Sequence, residues 1–210
     1  MTAGSQAAAK VFIIDDDPSV RRALDRLFRS AGRDSEAFAS AREFLARLPY
    51  PGTGCVVLDV NMPEMTGPEL AELMAQRGVG LPVVFLTGHG DVPTGVQAMK
   101  NGAVDFLTKP VDEEALLRAV EEAIARHAAS NAQRDARAAI LARLALLSAR
   151  EREVLQHVIR GRLNKQIAAD LRIALKTVKV HRSRVMAKVQ CASLPELVRL
   201  CQLAGIEPPQ

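Results

Sequence analysis

The chain of 210 residues is poor in the residues on which several classes of protein depend. With six Phe, one Tyr and no Trp, it has little material for a surface that stacks many nucleic-acid bases. Its three cysteines, Cys55, Cys191 and Cys201, are odd in number and lack the paired spacing of zinc ligands. This pattern argues against a disulfide framework and a zinc site, and it predicts core thiols in a reducing cytosol.

Long apolar segments are also missing. The N-terminal MTAGSQAAAK has no charged start followed by an apolar run, and the longest apolar stretch, residues 138–147, is interrupted by Arg143. We therefore expect a cytoplasmic protein without a membrane partner. Charged residues make up 25% and apolar residues 48%, which is ordinary globular usage and argues against wholesale disorder or a collagen-like chain.

Charge is distributed unevenly along the chain. Residues 1–147 carry 16 Lys and Arg against 19 Asp and Glu, whereas residues 148–210 carry 12 against 5. A basic module joined to a mildly acidic one is typical of a polyanion binder attached to a regulatory domain. Charge alone leaves a second interpretation open, in which the imbalance lies by chance on solvated faces.

The first part of the chain alternates short apolar runs with amphipathic stretches of helical length. This alternation predicts an α/β domain over residues 8–126, with a five-stranded, doubly wound parallel sheet that is covered on both faces. The predicted strands are residues 11–14, 55–58, 83–86 and 104–107, with a weaker candidate at 35–39.

The pattern then changes to a helical linker over residues 127–147. Within residues 112–147 we predict a helix, a polar segment at about 126–138 and a second apolar helix. From Ser148 onward no strand is predicted, and Ser148 with Glu151 forms a capping box that opens a helix. A small all-α domain is therefore predicted for residues 148–210, with its helices at about 149–161, 164–171, 175–189 and 194–203.

Polar side chains follow the predicted strands, where the carboxyl ends of parallel strands form a crevice. Clustered carboxylates gather a cation, and their hard oxygens suit Mg²⁺. A carboxylate beside Mg²⁺ can accept a phosphoryl group that a Lys and a hydroxyl help to hold, and Asp59, Lys109 and Thr87 fit these three roles. Asp17, followed by Pro18, is better explained as a helix cap.

The segments VFIIDDDPSV, VVLDVNMPEMTG, VVFLTGHGD and GAVDFLTKP together resemble the receiver domain of response regulators, which has a flavodoxin-like fold. The resemblance implies that Asp59 is the phosphoryl acceptor and that the Lys109–Pro110 bond is cis. It also implies that the Thr87 hydroxyl senses the phosphate and that Phe106 acts as a rotamer switch. Lys109 is then the ion-pairing amine of the site, and His89 influences how fast Asp59 loses its phosphoryl group. The implied Mg²⁺ ligands are Asp15, Asp16, Asp59 and the backbone carbonyl of Asn61.

The third predicted helix of the basic domain has an apolar side containing Val178, His181, Val185 and Val189. Its opposite side suits the major groove of DNA, and its flanks suit phosphates. The segment LSAREREVLQHVIRGRLNKQIAADLRIALKTVKVHRSRVMAKV resembles a LuxR-type helix-turn-helix, although Ala174 stands where that family commonly has a capping Ser. The candidate DNA-binding residues are Lys165, Lys176, Thr177, Lys179, Val180, Arg182, Ser183 and Arg184.

The whole chain resembles the NarL/FixJ family of two-component response regulators, and it is most similar to the FixJ-like subgroup. This resemblance implies a transcriptional regulator that a histidine kinase phosphorylates on Asp59. The phosphorylated protein is then expected to form a homodimer on double-stranded promoter DNA, with RNA polymerase as a further candidate partner. It implies a protein that releases its own phosphoryl group but is not a dedicated enzyme.

Two alternatives remain open at this point. The chain could bind DNA independently of phosphate and use its first domain only as a dimer scaffold. It could also be a Mg²⁺-dependent phosphohydrolase, in which the Asp15-x-Asp17 spacing supplies a nucleophile and an acid; this spacing weakly resembles haloacid-dehalogenase chemistry.

Overall fold

A computed structural model describes residues 9–88 and 105–206, and the chain divides into two compact units, residues 1–131 and 132–210. The first unit contains a five-stranded sheet in the order β2-β1-β3-β4-β5, and every neighbouring pair of strands is parallel. This topology confirms the predicted doubly wound α/β fold. The strands are β1 (Lys10–Ile14), β2 (Asp34–Phe38), β3 (Gly54–Asp59), β4 (Val83–Thr87) and β5 (Asp105–Thr108).

Each of the first three helices begins at a side chain that accepts a hydrogen bond from the first turn. Asp17 caps α1 with Pro18 at its first position, which confirms the prediction for these residues. Ser40 caps α2, and Thr66 forms a reciprocal capping box for α3. The helices of this part are α1 (Pro18–Ser30), α2 (Ala41–Arg47) and α3 (Gly67–Gln76).

The three inner strands, β1, β3 and β4, are buried on both faces because their side chains alternate between two apolar clusters. In β1, Phe12 and Ile14 belong to one cluster, and Val11 and Ile13 belong to the other. Continuous apolar strands are expected where helices cover both faces of a parallel sheet. The residues at the carboxyl-terminal edge of the sheet therefore follow strands that are packed in an apolar core.

The fourth helix of the described residues, α4 (Glu113–Ala145), is one continuous helix of 33 residues. The polar segment predicted at about 126–138 does not interrupt it, so that part of the sequence-based prediction is wrong. The segment contains no Gly or Pro and is rich in Ala and Arg, which have high helix propensity, so a polar composition alone does not end the helix.

The second unit contains four further helices around one apolar cluster, in agreement with the predicted all-α domain. Ser148 and Glu151 form the predicted capping box, and Ser193 caps the last helix. No side chain caps the two middle helices, which begin after Leu163 and Ala174. The helices are α5 (Ala149–Ile159), α6 (Asn164–Asp170), α7 (Leu175–Val189) and α8 (Leu194–Leu203).

All three cysteines are free thiols, but they differ in burial. Cys55 and Cys201 are buried, as predicted, whereas Cys191 is only partly buried. Burial raises the pKa of the Cys55 thiol to about 12. Over the residues that the structure describes, none of the helices is both long and apolar enough to cross a membrane.

Candidate functional site

The register of the sheet brings the predicted site residues of the first unit to one edge. Ile14 pairs with Leu58, so that Asp15 and Asp59 each lie one residue past a paired position. Asp59 pairs with Leu86, immediately before Thr87, and Thr87 pairs with Thr108, immediately before Lys109. Side chains that are far apart in the chain therefore meet where these strands end, as sequence reasoning predicted.

Lys109 joins the two buried carboxylates of this edge. Its Nζ atom donates to Asp59 Oδ1 over 2.6 Å and to Asp15 Oδ2 over 2.7 Å. The exposed fraction of the side chain is 1% for Asp15, 7% for Asp59 and 25% for Lys109. The group is thus an ion triad with little access to water, in which charge-assisted hydrogen bonds are strong.

The pKa values of this triad reflect burial and pairing together. Burial raises the pKa of Asp59, and the hydrogen bond and charge of Lys109 offset this rise only in part. Burial acts to lower the pKa of Lys109, but the bonds from Asp15 and Asp59 outweigh it and raise the pKa overall. Lys109 therefore stays charged between two carboxylates, and it is positioned to neutralise additional negative charge.

The turn after β3 holds Asp59 in place. The backbone N–H of Asn61 donates to Asp59 Oδ2 over 3.1 Å, and the backbone N–H of Gly67 donates to Val60 O over 2.9 Å. A Cβ atom at Gly67 would collide with the carbonyl oxygen of Asp59, so a side chain here would push the turn open. Both carboxylate oxygens of Asp59 thus have fixed donors.

Thr87 and Phe106 lie beside this triad on β4 and β5. Thr87 is buried, and its Oγ1 atom donates to Gly88 O over 3.1 Å. Phe106 is partly buried, with its ring centroid 6.4 Å from that of Phe85. His89 and the predicted strand residue Val104 lie outside the described residues.

The predicted Mg²⁺ ligands are only partly brought together. Asp15 and Asp59 meet at Lys109, but Asp16 is exposed and makes no hydrogen bond or ion pair with the described part of the chain. Within residues 9–88 and 105–206, no group of three His, Cys, Asp or Glu side chains is arranged to hold a metal ion. Mg²⁺ usually takes one or two carboxylates and fills its octahedron with water and phosphate oxygens, so the two buried carboxylates fit such an ion.

One contact at this edge was missed by sequence reasoning. Arg21, in the first turns of α1, donates from Nη1 to the backbone carbonyl oxygen of Asp15 over 2.6 Å. Both carboxylate oxygens of Asp15 are also occupied, since the backbone N–H of Asp17 donates to Oδ1 over 2.9 Å and Lys109 donates to Oδ2. Asp59 has the same arrangement of donors, so this bonding does not distinguish Asp15 from Asp59 as a nucleophile.

In the second unit, α7 has one buried and one exposed side, as predicted. Val178, Val185 and Val189 are buried, and His181 is partly buried. The candidate groove-facing side chains are all exposed, including Val180 at 41%. These exposed residues are Lys176, Lys179, Val180 and Ser183.

The remaining candidate DNA contacts fall into two groups. Lys165 and Arg184 are exposed and make no hydrogen bond or ion pair within the described residues. Thr177 and Arg182 are partly buried, and Arg182 Nη1 donates to Asn164 Oδ1 over 2.7 Å. Arg182 thus joins α7 to α6. The helical periodicity of the sequence places Arg182 on the flank of α7 but does not predict this hydrogen bond.

The start of α7 has the predicted departure from a capped helix. Ala174 offers no side-chain acceptor, so no side chain caps the first turn. α6 shares this property, because Leu163 also lacks an acceptor, although Gln166 accepts from the Leu163 N–H over 2.9 Å. The two helices of the predicted helix-turn-helix therefore both begin without a side-chain cap.

Comparison with known proteins identifies both units. The model of the response regulator receiver domain matches residues 11–121, and that of the bacterial regulatory proteins of the luxR family matches residues 145–201. The class that the fold and the strand-end site define is therefore a receiver domain followed by a LuxR-type domain. Receiver domains generally bind Mg²⁺ at their phosphorylation site.

Full-length relatives share this organisation. The transcriptional regulatory protein FixJ of Azorhizobium caulinodans is 47% identical over 94% of this chain and 94% of its own. The response regulator protein TodT of Pseudomonas putida is 44% identical over 94% of this chain and 87% of its own.

Solved structures agree. The response regulator StyR matches with a TM-score of 0.86 and 45% identity, over 93% of this chain and 99% of its own. Full-length FixJ from B. japonicum matches with a TM-score of 0.58 and 43% identity, over 95% and 98%. The chain belongs to the FixJ-like response regulators, and it is a phosphorylation-switched regulator of transcription with a LuxR-type DNA-binding domain.

Proposed function

We propose that Asp59 is the residue that accepts the phosphoryl group, and that a partner histidine kinase supplies it. The observation that carries this proposal is the triad in which Lys109 bridges Asp59 and Asp15. Asp59 is the member at the end of the central strand β3. On one side, β4 and β5 supply the hydroxyl of Thr87 and the cation of Lys109, and on the other side β1 leads into Asp15. A buried carboxylate next to a fixed ammonium is suited to nucleophilic attack on phosphorus.

In the proposed transfer, an oxygen of Asp59 forms a bond to phosphorus as the bond from phosphorus to the kinase imidazole breaks. The donor imidazole takes up a proton as it leaves. Lys109 neutralises charge on the equatorial oxygens, and the Thr87 hydroxyl donates to one of them. Asp15, Asp16, Asp59 and the backbone carbonyl of Asn61 would hold Mg²⁺, which would supply further electrostatic stabilisation at this site.

The phosphoryl group then acts as a switch. It adds nearly two negative charges beside Thr87, whose side chain turns toward the new acceptor oxygens while Phe106 fills the space left behind. The resulting change in surface favours a homodimer, which presents two α7 helices to neighbouring half-sites of promoter DNA. Self-catalysed hydrolysis of the acyl phosphate resets the switch, without making the protein a dedicated enzyme.

The exposed side of α7 is the proposed DNA-reading surface. Lys179, Val180 and Ser183 contact base edges, whereas Thr177, Arg182 and Arg184 approach phosphates at the flanks. The same proposal assigns Lys165 and Lys176 to DNA contacts at the edge of this surface. The support is the exposure of these lysines and of Arg184. We further propose that the protein acts in the cytoplasm, with RNA polymerase as a partner.

Sedimentation velocity tests this function. With Mg²⁺ and beryllofluoride, a mimic of the acyl phosphate, the wild-type protein is expected to shift from monomer to dimer. Asp59→Asn should not shift, because its amide cannot bind beryllofluoride as a carboxylate does. Dimerisation of Asp59→Asn to the same extent, or the absence of any shift in the wild type, would contradict a switch through Asp59.

A further inference from the structure

Arg21 makes an unusual contact for a side chain near the start of a helix. Its backbone N–H donates to Asp17 O over 3.1 Å, as in any helix, but its guanidinium turns back past the helix start to the Asp15 carbonyl oxygen at 2.6 Å. A cation near a helix N-terminus is opposed by the helix dipole. The hydrogen bond from Arg21 to the Asp15 carbonyl oxygen therefore has to offset the unfavourable interaction between the guanidinium charge and the helix dipole.

The contact completes the bonding of a buried residue. Asp15 donates its backbone N–H to Phe38 O over 3.3 Å, and its two carboxylate oxygens accept from Asp17 and Lys109. With Arg21 on the carbonyl oxygen, every polar group of Asp15 is held. The next residue, Asp16, is exposed and has no partner among the described residues.

Peptide geometry connects these two observations. The carbonyl group of Asp15 and the N–H group of Asp16 belong to one planar peptide unit. A guanidinium that fixes the Asp15 carbonyl therefore fixes the plane from which the Asp16 side chain projects. We propose that Arg21 is a positioning residue, which orients the Asp16 carboxylate for a divalent cation without touching the cation or the phosphoryl group; this inference rests on the proposed function.

Two physical effects of Arg21 predict opposite results for its removal. If its positive charge dominates, removal lowers the repulsion of a cation and tightens binding. If its hydrogen bond dominates, removal lets the Asp15–Asp16 peptide rotate and weakens binding. Residues that orient the ligands of a metal typically change its affinity about 10- to 100-fold, so we expect positioning to dominate.

Direct binding of Mn²⁺, a probe for Mg²⁺, distinguishes the two effects in the full-length protein. The free ion is followed by its paramagnetic resonance signal, which is lost on binding. Arg21→Met is expected to weaken Mn²⁺ binding about tenfold, and Arg21→Lys, which keeps a donor, to recover part of the loss. Arg22→Met is the matched control, because Arg22 is adjacent and exposed, and its side chain is bonded only to Ser19 Oγ among the residues that the structure describes.

A second measurement separates positioning from catalysis. With acetyl phosphate as donor, Arg21→Met should need more Mg²⁺ for half-maximal phosphorylation of Asp59 but should reach the wild-type rate at saturating Mg²⁺. Circular dichroism melting curves identify any variant that does not fold, and Arg21→Ala, which also removes the donor, then replaces Arg21→Met as the test.

The inference is overturned if removing the Arg21 donor leaves Mn²⁺ binding unchanged or tighter, or if Arg22→Met weakens it equally. Those results would leave the proposed function intact, provided that wild-type Asp59 is phosphorylated. A wild-type protein that binds no Mn²⁺ and accepts no phosphoryl group would overturn both.

Discussion

At the strand ends of the first unit, charged side chains are buried and bonded to each other, whereas two lysines on the exposed side of α7 stand in solvent without an ion-pair partner in the described part of the chain. Lys109 holds two carboxylates of 1% and 7% exposure. Lys176 and Lys179 are exposed and make no ion pair within residues 105–206. Buried, coupled charges respond to one added charge as a group, which suits a switch, while exposed charges are free for a polyanion.

The largest expected effect follows from removing the cation of the buried triad. Lys109→Met leaves Asp15 and Asp59 buried without their shared partner. We expect the free energy of unfolding to fall by about 3 kcal/mol. This loss is at the lower end of the range for a buried ion pair that loses one partner, because Lys109 is partly exposed. Chemical denaturation in buffer without divalent cations measures this change.

Lys10→Met is the matched control for this prediction. Lys10 also bridges two carboxylates, Asp34 at 3.3 Å and Glu36 at 3.2 Å, but both are substantially exposed to solvent. Its replacement should cost less than about 1 kcal/mol. Equal losses for the two variants would remove the distinction between buried and exposed charge on which the comparison depends.

One buried carboxylate in the second unit, Glu151, tests the comparison between buried and exposed charges within a single domain. Glu151 is 3% exposed and accepts from Lys188 over 2.7 Å and from the Ser148 N–H over 2.8 Å. These bonds, that of Lys188 first, lower its pKa from 4.5 to about 2. Its ionised form therefore stabilises the fold at pH values above about 4.5, and this contribution is lost as the pH falls toward 2.

We expect Glu151→Gln to lower the free energy of unfolding by about 1 to 2 kcal/mol at pH 7, since water screens the half-exposed Lys188. The difference from wild type should shrink as the pH falls from 4.5 toward 2, as denaturation at several pH values would show. Glu153→Gln, at an exposed ion pair with Arg150, is the control and should change little. A difference that stays constant with pH would contradict the role of the Glu151 charge.

The exposed charges of α7 should affect DNA binding and not folding. Lys179→Ala is expected to weaken binding of a mixed-sequence duplex about three- to tenfold, with the free energy of unfolding changed by less than about 0.5 kcal/mol. Fluorescence anisotropy at several salt concentrations measures the affinity. Arg199→Ala removes the same charge from the exposed side of α8 and should weaken DNA binding much less. Equal losses for the two variants would indicate that DNA binding depends on net charge and not on a local contact of Lys179.

The smallest expected effect is a gain of stability at the start of α7. Ala174→Ser supplies the missing cap acceptor and should raise the free energy of unfolding by about 0.5 to 1 kcal/mol. Ser148→Ala, which removes an existing cap from α5, is the reciprocal control and should lower it by a similar amount. Thermal melting curves compare the two variants. No gain of stability in Ala174→Ser would mean that water already hydrogen-bonds to the free N–H groups of the first turn of α7.

The fold and the centre of the candidate site could be predicted because each depends on a simple regularity. Apolar runs mark the strands, and parallel strands end at a common edge, so Asp15, Asp59 and Lys109 had to meet. Contacts that depend on the direction of a long side chain could not be predicted. Arg21 turns back to a backbone carbonyl, and Arg182 reaches Asn164, although both resemble ordinary exposed arginines in the sequence.

The continuity of α4 shows a different limit. Polar composition at residues 126–138 predicts a break in the helix, but intrinsic helix propensity persists through that segment without a Gly or Pro to end it. The start of α6 shows a related limit. Leu163 occupies the cap position, has no side-chain acceptor and is exposed, and hydrophobic periodicity does not assign it to a buried face.

The unequal burial of the three thiols makes the protein suitable for selective labelling. With a pKa of about 12, Cys55 is almost entirely protonated near neutral pH, and Cys201 is sealed in the core of the second unit. Cys191 is the most accessible of the three and lies two residues past the C-terminal end of α7. A maleimide fluorophore should therefore attach first at Cys191, and would report on the proposed DNA-reading helix in the unmodified sequence.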